Sequence, residues 1–236
     1  MKKLIPWFFV LFYLGMVSLI IGSCTARAAE LPANAKIYLP VLNGEIGHYW
    51  PAMPMPQLLA GQVEQESCIS LTHPKCWTPR AELKTAREYG FGFGQITITS
   101  RFDNFKAARG LDASLSAWQW EDRYNPQFQL RTLVLTNLRN YRGIAGAAGQ
   151  SDQLAMMLNC YNQGAGALIK NRKLCQATQG CDPSRWFGNV ETTNYASAKK
   201  QSGYGQSFAD IASQYPRRVF GRASKYADHF TGHAQL

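Results

Sequence analysis

Four stretches of this chain carry apolar residues at helical spacing, and the signals that bound them confine it to a mainly α-helical fold. The clearest starts at Asn125-Pro126, a capping side chain followed by proline at the first helical position, and stops at Gly143. Between them Leu130, Val134, Leu138 and Tyr141 form one stripe. Ser151-Asp152 reads as the cap of a second helix carrying Leu154, Met157, Leu158 and Tyr161, broken by Gly164 and Gly166. A third helix is expected over Pro216–Phe230, with Val219, Phe220, Ala223, Tyr226 and Phe230 on one side. The fourth runs from Gln57 to Ser67 through Leu58, Leu59 and Val63. Glu66 falls on that stripe, whereas Glu64, two residues away, faces elsewhere. Cys68 to Arg80 holds Pro74 and Pro79 and reads as a loop. Tyr89 to Thr99 mixes glycine, aromatic and β-branched residues, which suggests a short strand or hairpin. The expectation is one mainly α domain with a small β element.

The N-terminus reads as an export signal. Lys2 and Lys3 precede an almost unbroken apolar stretch from Ile5 to Gly22. That stretch is close to the lower limit of about 17–25 residues for a membrane span, so a retained anchor stays open. Ile21-Gly22-Ser23-Cys24 resembles a lipobox, which would lipidate Cys24; Ala26-Arg27-Ala28 offers an ordinary cleavage site that would release a soluble protein. Each reading places the chain in the periplasm or cell envelope. Leu31 to Pro56 contains five prolines (Pro32, Pro40, Pro51, Pro54 and Pro56) and reads as an extended arm. The expected organisation is therefore a signal or anchor over 1–28, a Pro-rich arm over 29–56 and a domain over 57–236.

An oxidising compartment favours disulfides. Cys68 with Cys76 and Cys175 with Cys181 would each close a short loop and leave Cys160 as a thiol, although cross-pairings stay open. No CxxC pair occurs, and His48, His73, His229 and His233 lie outside any cluster with ligand spacing, so no metal site is expected. The formal charge of +10 calls for an anionic partner. Lys170-Asn171-Arg172-Lys173 and Arg217-Arg218 are not interleaved with aromatics in a nucleic-acid motif and read as solvated faces. Export makes the anionic envelope the better partner than nucleic acid.

Four segments carry the chemistry. Gln65-Glu66-Ser67 is followed by Gly92-Phe93-Gly94-Gln95-Ile96, then Tyr161-Asn162-Gln163-Gly164, then Val190-Glu191-Thr192. In that order they resemble the signature of the SLT-type lytic transglycosylases of glycoside hydrolase family 23, to which goose-type lysozymes are related. The family's second motif reads Gly-Leu-Met-Gln-Ile, so Phe93-Gly94 departs from it. The resemblance spans roughly Pro51 to Tyr215. It implies a lysozyme-like domain with the β element beside an active-site cleft, and peptidoglycan glycan strands as the partner.

By the same resemblance Glu66 is the catalytic residue, while Ser67, Gln95, Tyr161, Asn162 and Glu191 orient it or bind substrate. Tyr195 and Tyr215 compete for one further place in the cleft. Breaking a glycosidic bond needs an acid still protonated near neutral pH, and a carboxyl set against apolar side chains such as Leu59 and Val63 has its pKa raised. Most glycosidases use two carboxylates; this family needs one, and no cofactor. The alternatives are lysozyme-type hydrolysis, with Glu82, Glu88 or Asp103 as second carboxylate, and a non-catalytic glycan-holding assembly protein. Trp77, Trp118, Trp120 and Trp186 are candidates to stack on sugars. Wall growth, a secretion or conjugation apparatus, and lysis are the roles left open.

Overall fold

The structure, a computed structural model, describes residues 30–200 and 205–230. The proposed signal, Cys24 and both cleavage sites lie outside the described residues. Among the described residues six α-helices build one main core, and a three-stranded sheet with a seventh, short helix encloses a smaller one. The helices are α1 (Ala35–Tyr49), α2 (Gln57–Ser67), α3 (Asn104–Arg109), α4 (Pro126–Arg142), α5 (Gln150–Gln163), α6 (Ala165–Gln176) and α7 (Phe208–Ala223). The strands β1 (Glu82–Lys84), β2 (Glu88–Phe91) and β3 (Ile96–Thr99) pair antiparallel in that order, with Glu82 opposite Phe91 and Tyr89 opposite Ile98. Beneath the sheet Phe91, Ile96, Phe105, Leu115 and Trp118 form the second core.

α2 is the central element. Leu58, Leu59, Ala60, Gly61, Gln62, Val63 and Glu64 are all buried, so both sides of the helix are covered. At about 1.5–3 kcal/mol for each fully buried large apolar side chain, this helix anchors the domain. Its buried glutamate is partnered. Glu64 accepts from the Tyr226 hydroxyl at 2.5 Å and from Lys225 Nζ at 3.0 Å, and the Trp77 indole N–H donates to the same tyrosine at 3.0 Å. α7 crosses α2 at Gly61, where an added Cβ would stand 2.7 Å from the Val219 carbonyl oxygen and 2.8 Å from the Ala223 nitrogen. Both are backbone atoms, so the helices would have to separate. Gly61→Ala is expected to cost about 2–3 kcal/mol through overpacking, despite the better helix propensity of alanine. Chemical denaturation would report this as a lower midpoint.

The expected Pro-rich arm is corrected. Residues 35–49 form α1, which contains Pro40 and buries Ala35, Leu39, Leu42 and Ile46 in the main core. A buried bidentate pair, Glu45 with Arg131, ties α1 to α4 (2.9 and 3.2 Å). The helical stripe prevails over one proline because burial of four apolar side chains outweighs one lost backbone bond.

Two caps differ from expectation as well. α5 starts at Gln150 behind Gly149, and Asp152 instead accepts the Trp186 backbone N–H at 2.7 Å. α7 starts at Phe208, eight residues before Pro216, on a capping box in which Ser207 and Asp210 satisfy each other's backbone N–H groups. After Ala223 the chain tightens into a 3-10 turn over Ser224–His229. α4 matches its signals: Asn125 accepts from Gln127 and Phe128, Pro126 opens the helix and Gly143 ends it. Cys68–Cys76 and Cys175–Cys181 are bonded, and Cys160 is a buried thiol. No helix among the described residues is long and apolar enough to cross a membrane.

Candidate active site

Glu66 stands in the last turn of α2, at a cleft of about 900 Å³ lined by β3, α3, α4, the end of α5 and the start of α6. That volume is at the upper end of ordinary ligand pockets, about 300–1,000 Å³, and suits an extended ligand. Two devices fix the end of α2. The Cys68–Cys76 disulfide holds the following loop against it. Ser67 Oγ donates to the Val63 carbonyl at 2.7 Å and accepts the Trp77 N–H at 3.1 Å. Ser67 is thus buried and turned away from the cleft; it supports Glu66 through the backbone and is not a ligand-binding group.

The half-buried Glu66 carboxyl is pushed up to about 7, because burial penalises its charged form; a hydrogen bond from the Tyr215 hydroxyl works in the opposite direction. Tyr215 comes from α7, which settles the choice between tyrosines, since Tyr195 is exposed with Lys170 over its ring. Burial, reinforced by the Glu66 charge, raises the Tyr215 hydroxyl well above its ordinary range, so it stays protonated and donates. Behind it runs a relay of buried amides. Gln62 Nε2 donates to the Tyr215 hydroxyl at 3.2 Å, and Asn137 Nδ2 donates to Gln62 Oε1 at 2.9 Å. Asn137 also donates to the Leu133 carbonyl at 2.9 Å, so α4 braces the relay. From Asn137 through Gln62 and Tyr215 the donors run toward Glu66, an arrangement in which each bond polarises the next.

The other wall joins two of the sequence motifs. The Tyr161 hydroxyl donates to the Gly94 carbonyl at 2.7 Å. A Cβ at residue 94 would stand 2.3 Å from that hydroxyl, so the departure at Phe93-Gly94 has a physical reason. Phe93 fills the main core and Gly94 leaves room for Tyr161. Asn162 lines the cleft with an exposed side chain. Gln95 lines it too, at a left-handed φ of 46°, but its Nε2 donates to the Ala81 and Gly92 carbonyls (3.2 and 3.1 Å). Its Oε1 is buried beside Gly90 without a hydrogen-bond partner. The side chain therefore locks the β2–β3 turn, and the expectation that it binds sugar groups is corrected.

Glu191 is corrected likewise. It pairs with Arg217 through both oxygens (2.8 and 2.6 Å), accepts the Gly188 N–H, and does not line the cleft. Its bonds tie the 188–192 turn to α7 two residues beyond Tyr215. Trp77, Trp118 and Trp186 are fully buried, and the partly exposed Trp120 is not a cleft residue. Of the three candidate second carboxylates, Glu82 accepts from the Tyr89 and Tyr124 hydroxyls and Asp103 caps α3, both outside the cleft lining; Glu88 lines the cleft.

Gln62 and Asn137 were not anticipated, though each had a signal: a polar residue on an otherwise apolar stripe, one turn before Glu66 and between Val134 and Leu138 respectively. Among the described residues no group of three potential metal ligands comes together. Neither the protein-family models nor the curated proteins include a match to this chain.

Proposed function

We propose that this protein is an exported lytic transglycosylase with a lysozyme-like fold, cutting the β-1,4 bond between N-acetylmuramate and N-acetylglucosamine in peptidoglycan. The observation that carries the reading is the Glu66 carboxyl, held near neutrality in the cleft and bonded by Tyr215. Protonated Glu66 donates to the bridging oxygen as the C1–O4 bond breaks. The neighbouring N-acetyl group stabilises the positive charge at C1. Glu66, now a carboxylate favoured by the Tyr215 hydrogen bond, takes the proton from the C6 hydroxyl, and O6 bonds to C1. The proton lost from O6 replaces the one given to O4, no water is consumed, and a 1,6-anhydromuramate end results.

An acid cycling between both protonation states works best with a pKa close to the operating pH, which suits a carboxyl near 7. Hydrolysis would need a second group to activate water, and Glu88 is the other carboxylate that lines the cleft among the described residues. A digest of purified sacculi separates the readings by mass. Anhydro ends, lighter by one water than hydrolytic ends, are the expected product. Hydrolytic ends would indicate a lysozyme, and an absence of released fragments would leave a glycan-holding envelope protein. Such an enzyme would act in the periplasm or envelope, attached or free according to how the N-terminus is processed, and could serve a secretion or conjugation apparatus.

A further inference from the structure

One face of α4 lines the cleft through Thr132, Thr136 and the adjacent Arg139 and Asn140, a turn apart along the helix, and Gly143 follows at its end. From Thr132 to Arg139 the helix rises about 10 Å, so the hydroxyl-lined stretch gives way to a cationic one. Arg139 is exposed to the cleft, and no described residue bonds to its guanidinium or pairs with its charge. Arg172 on α6 lines the same cleft. Its guanidinium donates to the carbonyls of Pro183, Ala145 and Gly146 (2.8, 2.8 and 3.2 Å), and among the described residues it pairs with no carboxylate. Among the described residues that line the cleft, the carboxylates are Glu66 and Glu88. Among the described residues, then, neither guanidinium in this cleft is ion-paired with a carboxylate, unlike Arg131 and Arg217, which each hold a glutamate.

We infer that the Arg139 end of the cleft, a cleft that Arg172 also lines, is a subsite for a carboxylate carried by the glycan. It rests on the reading of the cleft as a peptidoglycan site. Muramic acid offers that carboxylate in two forms: on the peptide stem, or on the lactyl ether itself where the stem has been removed. Arginine offers planar paired donors suited to a carboxylate, and a cleft screens such a pair less than open surface. The competing role for Arg139 is to complement the partial negative charge at the end of α4, which affects stability alone.

The test is equilibrium binding to the Glu66→Gln protein, with and without Arg139→Gln. The ligands are stem-bearing glycan oligomers, the same oligomers with amidated stems, stem-free oligomers with the lactyl carboxylate, and uncharged chitooligosaccharides. Carboxylate-bearing ligands are expected to bind about tenfold tighter than uncharged ones at low salt, a preference that Arg139→Gln removes and rising salt erodes. Arg139→Lys should keep part of it, showing that loss is not misfolding. Preference for the stem-bearing over the stem-free charged ligand, or the reverse, identifies which carboxylate is read. Equal affinity for charged and uncharged ligands, or a preference that survives Arg139→Gln, overturns the subsite. Wild-type cleavage is scored separately. Cleavage without charge preference sinks the subsite alone, charge preference without cleavage sinks the enzyme alone, and failure to bind any glycan sinks both.

Discussion

Glu66→Gln is expected to lower the rate of glycan release by at least about 10³-fold, because in the proposed mechanism one residue supplies both proton transfers and each contributes on the order of 10²–10⁴. Glutamine keeps the shape of the side chain and can still accept from Tyr215, so binding should persist. The same substitution should raise stability in alkaline solution. A carboxyl whose folded pKa lies near 7, above its ordinary 4.5, makes the native state bind more protons than the unfolded state between those values. Stability therefore falls as pH rises through that window, and the glutamine protein does not share the fall. Above about pH 7 the variant should be more stable by about 1–3 kcal/mol, the lower part of the range allowing for water in the cleft; below about pH 4 the two should coincide. Denaturation midpoints at acid and alkaline pH, beside muropeptide release, check both halves. Residual cleavage within tenfold of wild type would remove Glu66 from the chemistry.

Where local signals are redundant, the fold was legible in the residues. α4 has a cap, a proline and a terminal glycine around one stripe, and both disulfides close loops too short for much else. α1 and the front half of α7 were hidden by prolines. Reading proline as a boundary is sound for an isolated helix, but Pro40 and Pro216 sit in helices held by burial of Leu39, Leu42 and Ile46, or of Ala212 and Val219. The site followed the same division. Glu66 and Tyr161 were identifiable from short motifs. Tyr215 could not be preferred over Tyr195 until α7 was laid across α2, 149 residues along the chain from Glu66. A motif gives residue type and spacing, not direction, so it suggests ligand binding for Ser67, Gln95 and Glu191 alike. Each turns its polar atoms to backbone or to an ion pair instead.

Tyr215→Phe tests the relay rather than the carboxyl. Removing the hydroxyl deletes the donor that favours the Glu66 carboxylate and leaves only the burial that opposes it, so the Glu66 pKa must rise. A hydrogen bond to a charged group is worth about 1.5–3 kcal/mol, equivalent to roughly 1–2 pH units. Wild-type kcat/KM should fall as pH rises through about 7, where Glu66 loses the proton it must donate. In Tyr215→Phe that descending limb should move to higher pH by this amount, while the plateau drops about tenfold or more because the carboxylate formed after bond breakage is less stabilised. The variant also leaves Gln62 Nε2 without its acceptor, a burial penalty of about 1–3 kcal/mol that a melting curve would register. General destabilisation lowers the plateau without moving the limb. A pH–rate profile therefore separates the two effects, and a limb that stays in place would show that Tyr215 packs beside Glu66 without tuning it.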